Sequence, residues 1–153
     1  MTHRELCQIG ASWLLNQSSC HFRCQYVCVE IVTIANEKPD VFGLMGGANT
    51  ILLEVKVNRS DFLADLKKSH RKTGRGIGSE RYYLCPDGII KEKELPENWG
   101  LLYYRDSDVT IIKQAKPQEK DSKSEMEIMY SLIRRIIPRR QVLDFRKTSE
   151  NSE

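Results

Sequence analysis

A chain of 153 residues is the size of one ordinary domain, long enough to bury a core and short for two. Its 40% hydrophobic and 29% charged residues are the composition of a soluble globular protein, and a net charge of +3 is too small to imply a nucleic-acid partner by itself. No apolar run approaches the roughly 20 residues that cross a bilayer, and "MTHRELCQIG" lacks the basic start and apolar core of a signal peptide. A cytoplasmic protein with no membrane partner is therefore expected.

Residues 3 to 16 place Leu6, Ile9, Trp13 and Leu14 at helical spacing, with Gly10 as a weak point and Glu5 in the opening turn. The β-branched stretch "QYVCVEIVTIA" at 25 to 35 reads as a strand whose one internal charge is Glu30. "DVFGL" at 40 to 44 and "TILLEVKV" at 50 to 57 form a hairpin around "MGGAN", where Gly46, Gly47 and Asn49 can supply positive φ. Ser60 is the expected cap of a helix through "DFLADLKKS", whose Phe62, Leu63 and Leu66 share a face.

"HRKTGRGIGSE" at 70 to 80, basic and glycine-rich, reads as a mobile surface loop. Strands are expected at 81 to 85, 101 to 105 and 108 to 113. A core over 1 to 114 is then followed by a polar linker, 115 to 125. A helix over 126 to 145 packs on the core through a stripe of Met126, Met129, Tyr130, Ile133 and Ile137, stopped by Pro138, and 146 to 153 reads as a disordered tail.

Cys7, Cys20, Cys24, Cys28 and Cys85 are an odd number and should stay reduced in a cytosol. Cys20, His21, Cys24 and Cys28 cluster in sequence, but C-x3-C-x3-C has no paired CxxC knuckle, so buried thiols are the expectation rather than zinc. His3, His21 and His70 have no serine or cysteine partner in a nucleophile motif, which leaves acyl transfer unsupported.

The informative charges are Asp40, Glu54 and Lys56. Side chains alternate along a strand, so Ile51, Leu53, Val55 and Val57 point one way while Leu52, Glu54 and Lys56 point the other. Two charges alone would describe a solvent-facing side. Asp40, however, begins the neighbouring strand and can approach Glu54 across the pair. Two crowded carboxylates call for a cation, and a hard divalent ion such as Mg²⁺ takes a few carboxylate oxygens with water completing its shell. A lysine beside such an ion can orient or activate water, or neutralise a phosphate in a transition state, which is the chemistry of phosphodiester hydrolysis.

"PD" at 39 and 40 followed by "EVK" at 54 to 56, 14 positions after Asp40, resembles the PD-(D/E)XK nuclease motif. "EVKVNRSDFLADLKK", "RYYLCPDGII" and "LPENWGLLY" are similar to a small bacterial and phage group related to the MmcB-like DNA-repair family, over roughly residues 25 to 137. The resemblance implies a restriction-endonuclease-like α/β fold, with a central mixed sheet flanked by helices, and a Mg²⁺- or Mn²⁺-dependent nuclease acting on DNA in repair, recombination or phage-related processing. It implies Asp40 and Glu54 as metal ligands, the Val55 carbonyl as a further oxygen, and Lys56 as the catalytic lysine. Glu5, early in the first helix, and Glu30, on the preceding strand, are rivals for a last acid. Nucleases of this fold often dimerise, so a homodimer is among the expected partners. A DNA-binding or assembly module that keeps the fold without cutting is the alternative.

Lys67, Lys68, Arg71, Lys72, Arg75 and Arg81 stand against one acid, Glu80, and such a local patch suits a phosphate backbone. Gly74, Gly76 and Gly78 do not make a P-loop, which would need the following lysine and hydroxyl. Tyr82, Tyr83, Tyr103 and Tyr104 are read as structural.

Overall fold

A computed structural model describes residues 1–16, 23–34, 37–140 and 142–144, without the side chains of His70 and Lys72. Cys20, His21 and the expected tail lie outside the described residues. The elements are α1 (His3–Asn16), β1 (Tyr26–Val29), β2 (Val41–Gly46), β3 (Asn49–Val55), α2 (Arg59–Asp65), α3 (Ser69–Lys72), β4 (Glu80–Pro86), β5 (Gly100–Arg105), β6 (Asp108–Lys113) and α4 (Ser122–Ile136). The six strands form one sheet in chain order. β3, β4 and β5 run parallel at its centre, and β1, β2 and β6 are antiparallel to their neighbours. The protein is thus α/β with a mixed sheet between helices, as expected. No helix among the described residues is long and apolar enough to cross a membrane.

The alternation read in β3 is the alternation found. Ile51, Leu53 and Val55 join Leu6, Cys7, Ala11 and Leu14 of α1 in one core, while Leu52 faces the other with Phe62 of α2 and Ile128 of α4. Gly10 is a contact point rather than a defect, because a Cβ there would stand 2.7 Å from Leu84 Cδ2 and 3.0 Å from Leu53 Cδ1. Its missing side chain lets α1 lie close on the sheet. In the hairpin, Gly46, Gly47 and Ala48 take positive φ, and Asn49 already belongs to β3.

Four local expectations are corrected. Asn58, not Ser60, caps α2: it is extended and its side chain accepts from the Asp61 N–H at 2.9 Å, while Leu63 on that helix is exposed. The strand after residue 25 stops at Val29, since Glu30 adopts φ +49 and donates its N–H to the Asp40 carbonyl. The segment 70–80 is a surface loop only in part: it opens in α3, and Thr73, Gly74 and Arg75 are exposed, but Gly76, Ile77 and Gly78 are buried. Two buried carboxylates make this possible: Glu37 Oε2 accepts from the Ile77 N–H at 2.9 Å, and Glu125 Oε1 from the Gly78 N–H at 2.8 Å. A backbone satisfied in this way can be buried without many apolar side chains.

The C-terminal part of the chain also departs from expectation. Residues 116–121 are held rather than free, through Lys116, Gln118 and Asp121 N–H bonds to the carbonyls of Asn98, Ser79 and Gly76. Asp121 then caps α4 by accepting from the Ser124 N–H at 3.0 Å. The expected stripe packs only in part: Met126, Tyr130 and Ile133 are exposed, Met129 is half-buried against the core, and Ser124, Glu125, Ile128 and Ser131 are the buried residues. Buried Glu125 sets the rotation of α4, because it accepts from Thr50 Oγ1 at 2.7 Å and from Gly78, and pairs with Lys120.

Candidate functional site

The site lies where β2 begins and β3 ends. Val41 pairs with Leu53, so Asp40, one residue before β2, comes beside the end of β3. Lys56 turns its N–H to the Leu84 carbonyl of β4, and Val55 turns the opposite way, donating its N–H to Asp40 Oδ2 at 2.8 Å. Lys56 Nζ lies 2.9 Å from Glu54 Oε2 and 3.9 Å from Asp40 Oδ2. Glu54 and Lys56 are 3% and 7% exposed, which removes the reading of a solvated strand face.

Glu37 and Asp65, which the sequence did not single out, and Arg71, expected in the phosphate-binding patch, complete the cluster. Asp65, on α2, places Oδ1 3.5 Å from Lys56 Nζ and 2.7 Å from Lys68 Nζ. Arg71, on α3, reaches three acids: Nη1 donates to Glu37 Oε1 at 2.5 Å, Nε to Asp65 Oδ2 at 2.8 Å, and Nη2 lies 2.8 Å from Glu54 Oε1. Its guanidinium lies 4.6 Å from the centroid of the Trp99 ring, and Trp99 stacks on Tyr83, whose hydroxyl donates to Asp65 Oδ2 at 2.7 Å. One signal for Asp65 was in reach, since it stands three positions after buried Phe62 and so on the inward side of α2. Arg71 had none, because its partner Glu37 is 34 positions away.

The cluster's electrostatics follow from this geometry. Burial, then repulsion from Glu54, raises the Asp40 carboxyl above its ordinary value. Burial opposes the charge on Lys56, but Glu54, Asp65 and Asp40 outweigh it and raise the lysine, which stays protonated at neutral pH. Burial works against ionised Asp65 as well, yet Arg71 and Lys56 hold that carboxyl well below the usual range.

The two rival glutamates have different neighbours. Glu5 forms a capping box with Thr2, its Oε2 accepting from the Thr2 N–H at 2.6 Å while its own N–H donates to Thr2 Oγ1 at 3.2 Å. This keeps it exposed at the start of α1. Glu30 approaches the site through His3, which has Nδ1 3.6 Å from Glu30 Oε1 and Nε2 3.4 Å from Asp40 Oδ2.

The basic set divides. Lys67, Lys68 and Arg75 are exposed, and the Lys72 side chain lies outside what is described. Arg71 and Arg81 are corrected from phosphate contacts to interior anchors, being 8% and 1% exposed. Arg81 donates to the carbonyls of Gly74, Gly76, Ile77, Gly78 and Glu119 at 2.8 to 3.1 Å. Its planar fork is filled by these backbone oxygens and by Gln118 Oε1 at 3.2 Å, leaving nothing for a ligand. Tyr82 and Tyr83 are buried and Tyr103 and Tyr104 half-buried, in keeping with a structural part.

Fold and site together define a one-sheet α/β protein with a buried carboxylate and cation cluster at the end of its central strands. No protein-family model matches the chain, and no curated protein matches its sequence. Among solved structures, a protein of unknown function from Silicibacter pomeroyi is similar over 94% of this chain and 97% of that one, with a TM-score of 0.62 and 20% identity. At that identity the likeness concerns the fold.

Proposed function

We propose that the protein is a Mg²⁺- or Mn²⁺-dependent nuclease of the PD-(D/E)XK type that hydrolyses phosphodiester bonds in DNA, in the cytoplasm. The observation that carries this reading is the convergence of Asp40, Glu54 and Lys56, with Asp40 braced by the Val55 N–H at 2.8 Å and Lys56 2.9 Å from Glu54. The donor set fits a hard ion: the raised Asp40 carboxyl belongs to a crowded, partly buried acid that a cation would relieve. Asp40, Glu54 and the Val55 carbonyl would hold that ion, which when bound polarises the phosphate and lowers the pKa of water.

The chain's own residues supply the rest. Lys56, held as a cation by three acids, offers its ammonium to the attacking water and to charge developing on the phosphate. Asp65 positions that ammonium from the far side. Exposed Lys67 and Arg75 are available to the strand's backbone, while Lys68, also exposed, is paired with Asp65.

The test is cleavage of single-stranded, duplex, nicked and branched DNA with and without Mg²⁺ or Mn²⁺. Metal-dependent cutting that disappears in Asp40→Asn and Lys56→Ala is expected. Absence of both metal effect and cutting sinks the reading. One observation favours a non-cleaving DNA-binding module instead: both Glu54 oxygens already face cations, Oε2 toward Lys56 and Oε1 toward Arg71. DNA retention without cleavage is its signature.

A further inference from the structure

His3 and Cys7 stand four positions apart, so one face of α1 carries an imidazole and, a turn later, a thiol. Glu30 arrives from the opposite direction, at the end of β1. Its left-handed backbone, φ +49, is an uncommon conformation for a residue with a Cβ. The consequence is a meeting of three ligand types: His3 Nδ1 lies 3.6 Å from Cys7 Sγ and 3.6 Å from Glu30 Oε1, and one ligand atom from each residue lies within 4.8 Å of the others.

These separations have a metric meaning. An ion with tetrahedral bonds of about 2.0 to 2.3 Å to nitrogen, oxygen and sulfur spaces its ligands about 3.3 to 3.8 Å apart. Both edges through His3 Nδ1 fall in that interval. The other ring nitrogen, Nε2, faces Asp40 Oδ2 at 3.4 Å, and Asp40 is itself braced by Val55. A carboxylate on one imidazole nitrogen directs the lone pair of the other toward a metal, an arrangement common behind zinc-ligating histidines.

We propose that His3 Nδ1, Cys7 Sγ and a Glu30 carboxylate oxygen form a transition-metal site of zinc type, with Asp40 orienting His3 from behind. The site is distinct in chemistry from the hard-ion site proposed at Asp40 and Glu54, because thiolate and imidazole favour Zn²⁺ over Mg²⁺. Three protein ligands leave a fourth position for water, the pattern of an open zinc site. His3 and Glu30 have side chains 37% and 45% exposed, which provides the path of entry, while Cys7 closes the inner side. On binding, the Cys7 thiol gives its proton to solvent and the sulfur lone pair goes to the metal, with no change of oxidation state.

Cobalt(II) is the probe, added to the purified full-length chain under reducing conditions. One equivalent should produce the visible bands of a tetrahedral ion and a near-ultraviolet thiolate-to-cobalt band, both displaced by Zn²⁺ and unaffected by a large excess of Mg²⁺. Cys7→Ser should remove the thiolate band. If the buried serine prevents folding, His3→Ala and Glu30→Gln, at half-exposed positions, decide the matter by weakening cobalt binding at least tenfold. A missing thiolate band in the unaltered protein, its persistence in all folded variants, or its displacement by Mg²⁺ overturns the proposal. The assay contains no DNA, so its failure is separate from failure of the nuclease reading.

Discussion

Arg71 holds Glu54 inside the protein, with Nη2 2.8 Å from Glu54 Oε1 and both side chains less than a tenth exposed. The same guanidinium binds Glu37 and Asp65, so α3, the approach to β2, α2 and β3 are tied to one cation. Arg71→Met leaves three buried acids short of a partner. Removing one member of a buried ion network costs about 3 to 5 kcal/mol. Urea denaturation should show a loss of that size, and a change under about 1 kcal/mol would mean that the acids find other cations or water.

Asp65 and Asp40 should respond to pH with opposite signs. The folded Asp65 carboxyl titrates below its unfolded value of about 3.9, so its stabilisation is complete above that pH and is lost as pH falls through the folded value. Asp40 titrates above its unfolded value, so ionised Asp40 costs stability at neutral pH and the cost lifts as pH falls. In thermal melts from about pH 3 to 8, Asp65→Asn should lower the melting temperature mainly above pH 4. Asp40→Asn, which keeps an acceptor for Val55, should match or exceed the unaltered protein at neutral pH.

Exposed and buried basic residues should separate in DNA binding. If Lys67 and Arg75 each neutralise one phosphate, Lys67→Ala and Arg75→Ala should each lower the slope of log affinity against log salt by about 1. Filter binding or fluorescence anisotropy at several salt concentrations reads this directly. Arg81→Met belongs to another class. It strips hydrogen bonds from five buried or half-buried carbonyls and should appear as lost folding stability.

The two faces of α4 give a further contrast. Ile128, fully buried against the sheet, should cost about 2 to 5 kcal/mol when changed to alanine. Ile133→Ser, on the exposed stripe, should change stability by about 0.5 kcal/mol or less. Equal effects in equilibrium unfolding would show that the helix packs through the other face.

The sheet was legible in the sequence wherever a strand's period spoke for itself. Ile51, Leu53 and Val55 alternate with Leu52 and Glu54, and a period of two has one reading. The helix α4 was harder, because its apolar positions outnumber those one face can bury. Buried Glu125, tied to Thr50 and Gly78, chose the face. An acid is ordinarily assigned to the surface, so its anchoring part was invisible from local pattern.

The parts of the candidate site divide in the same way. Asp40, Glu54 and Lys56 were recognisable by spacing because a hairpin couples them through local register, and the sequence by itself determined that they would meet. Only the tertiary structure decided that Glu37, Asp65 and Arg71 would close around them, that Arg81 would serve the backbone, and that His3, rather than Glu5, would face Asp40. A buried charge survives only with partners, and here those partners come from elements tens of residues apart, whose meeting the packing of helices on the sheet determines.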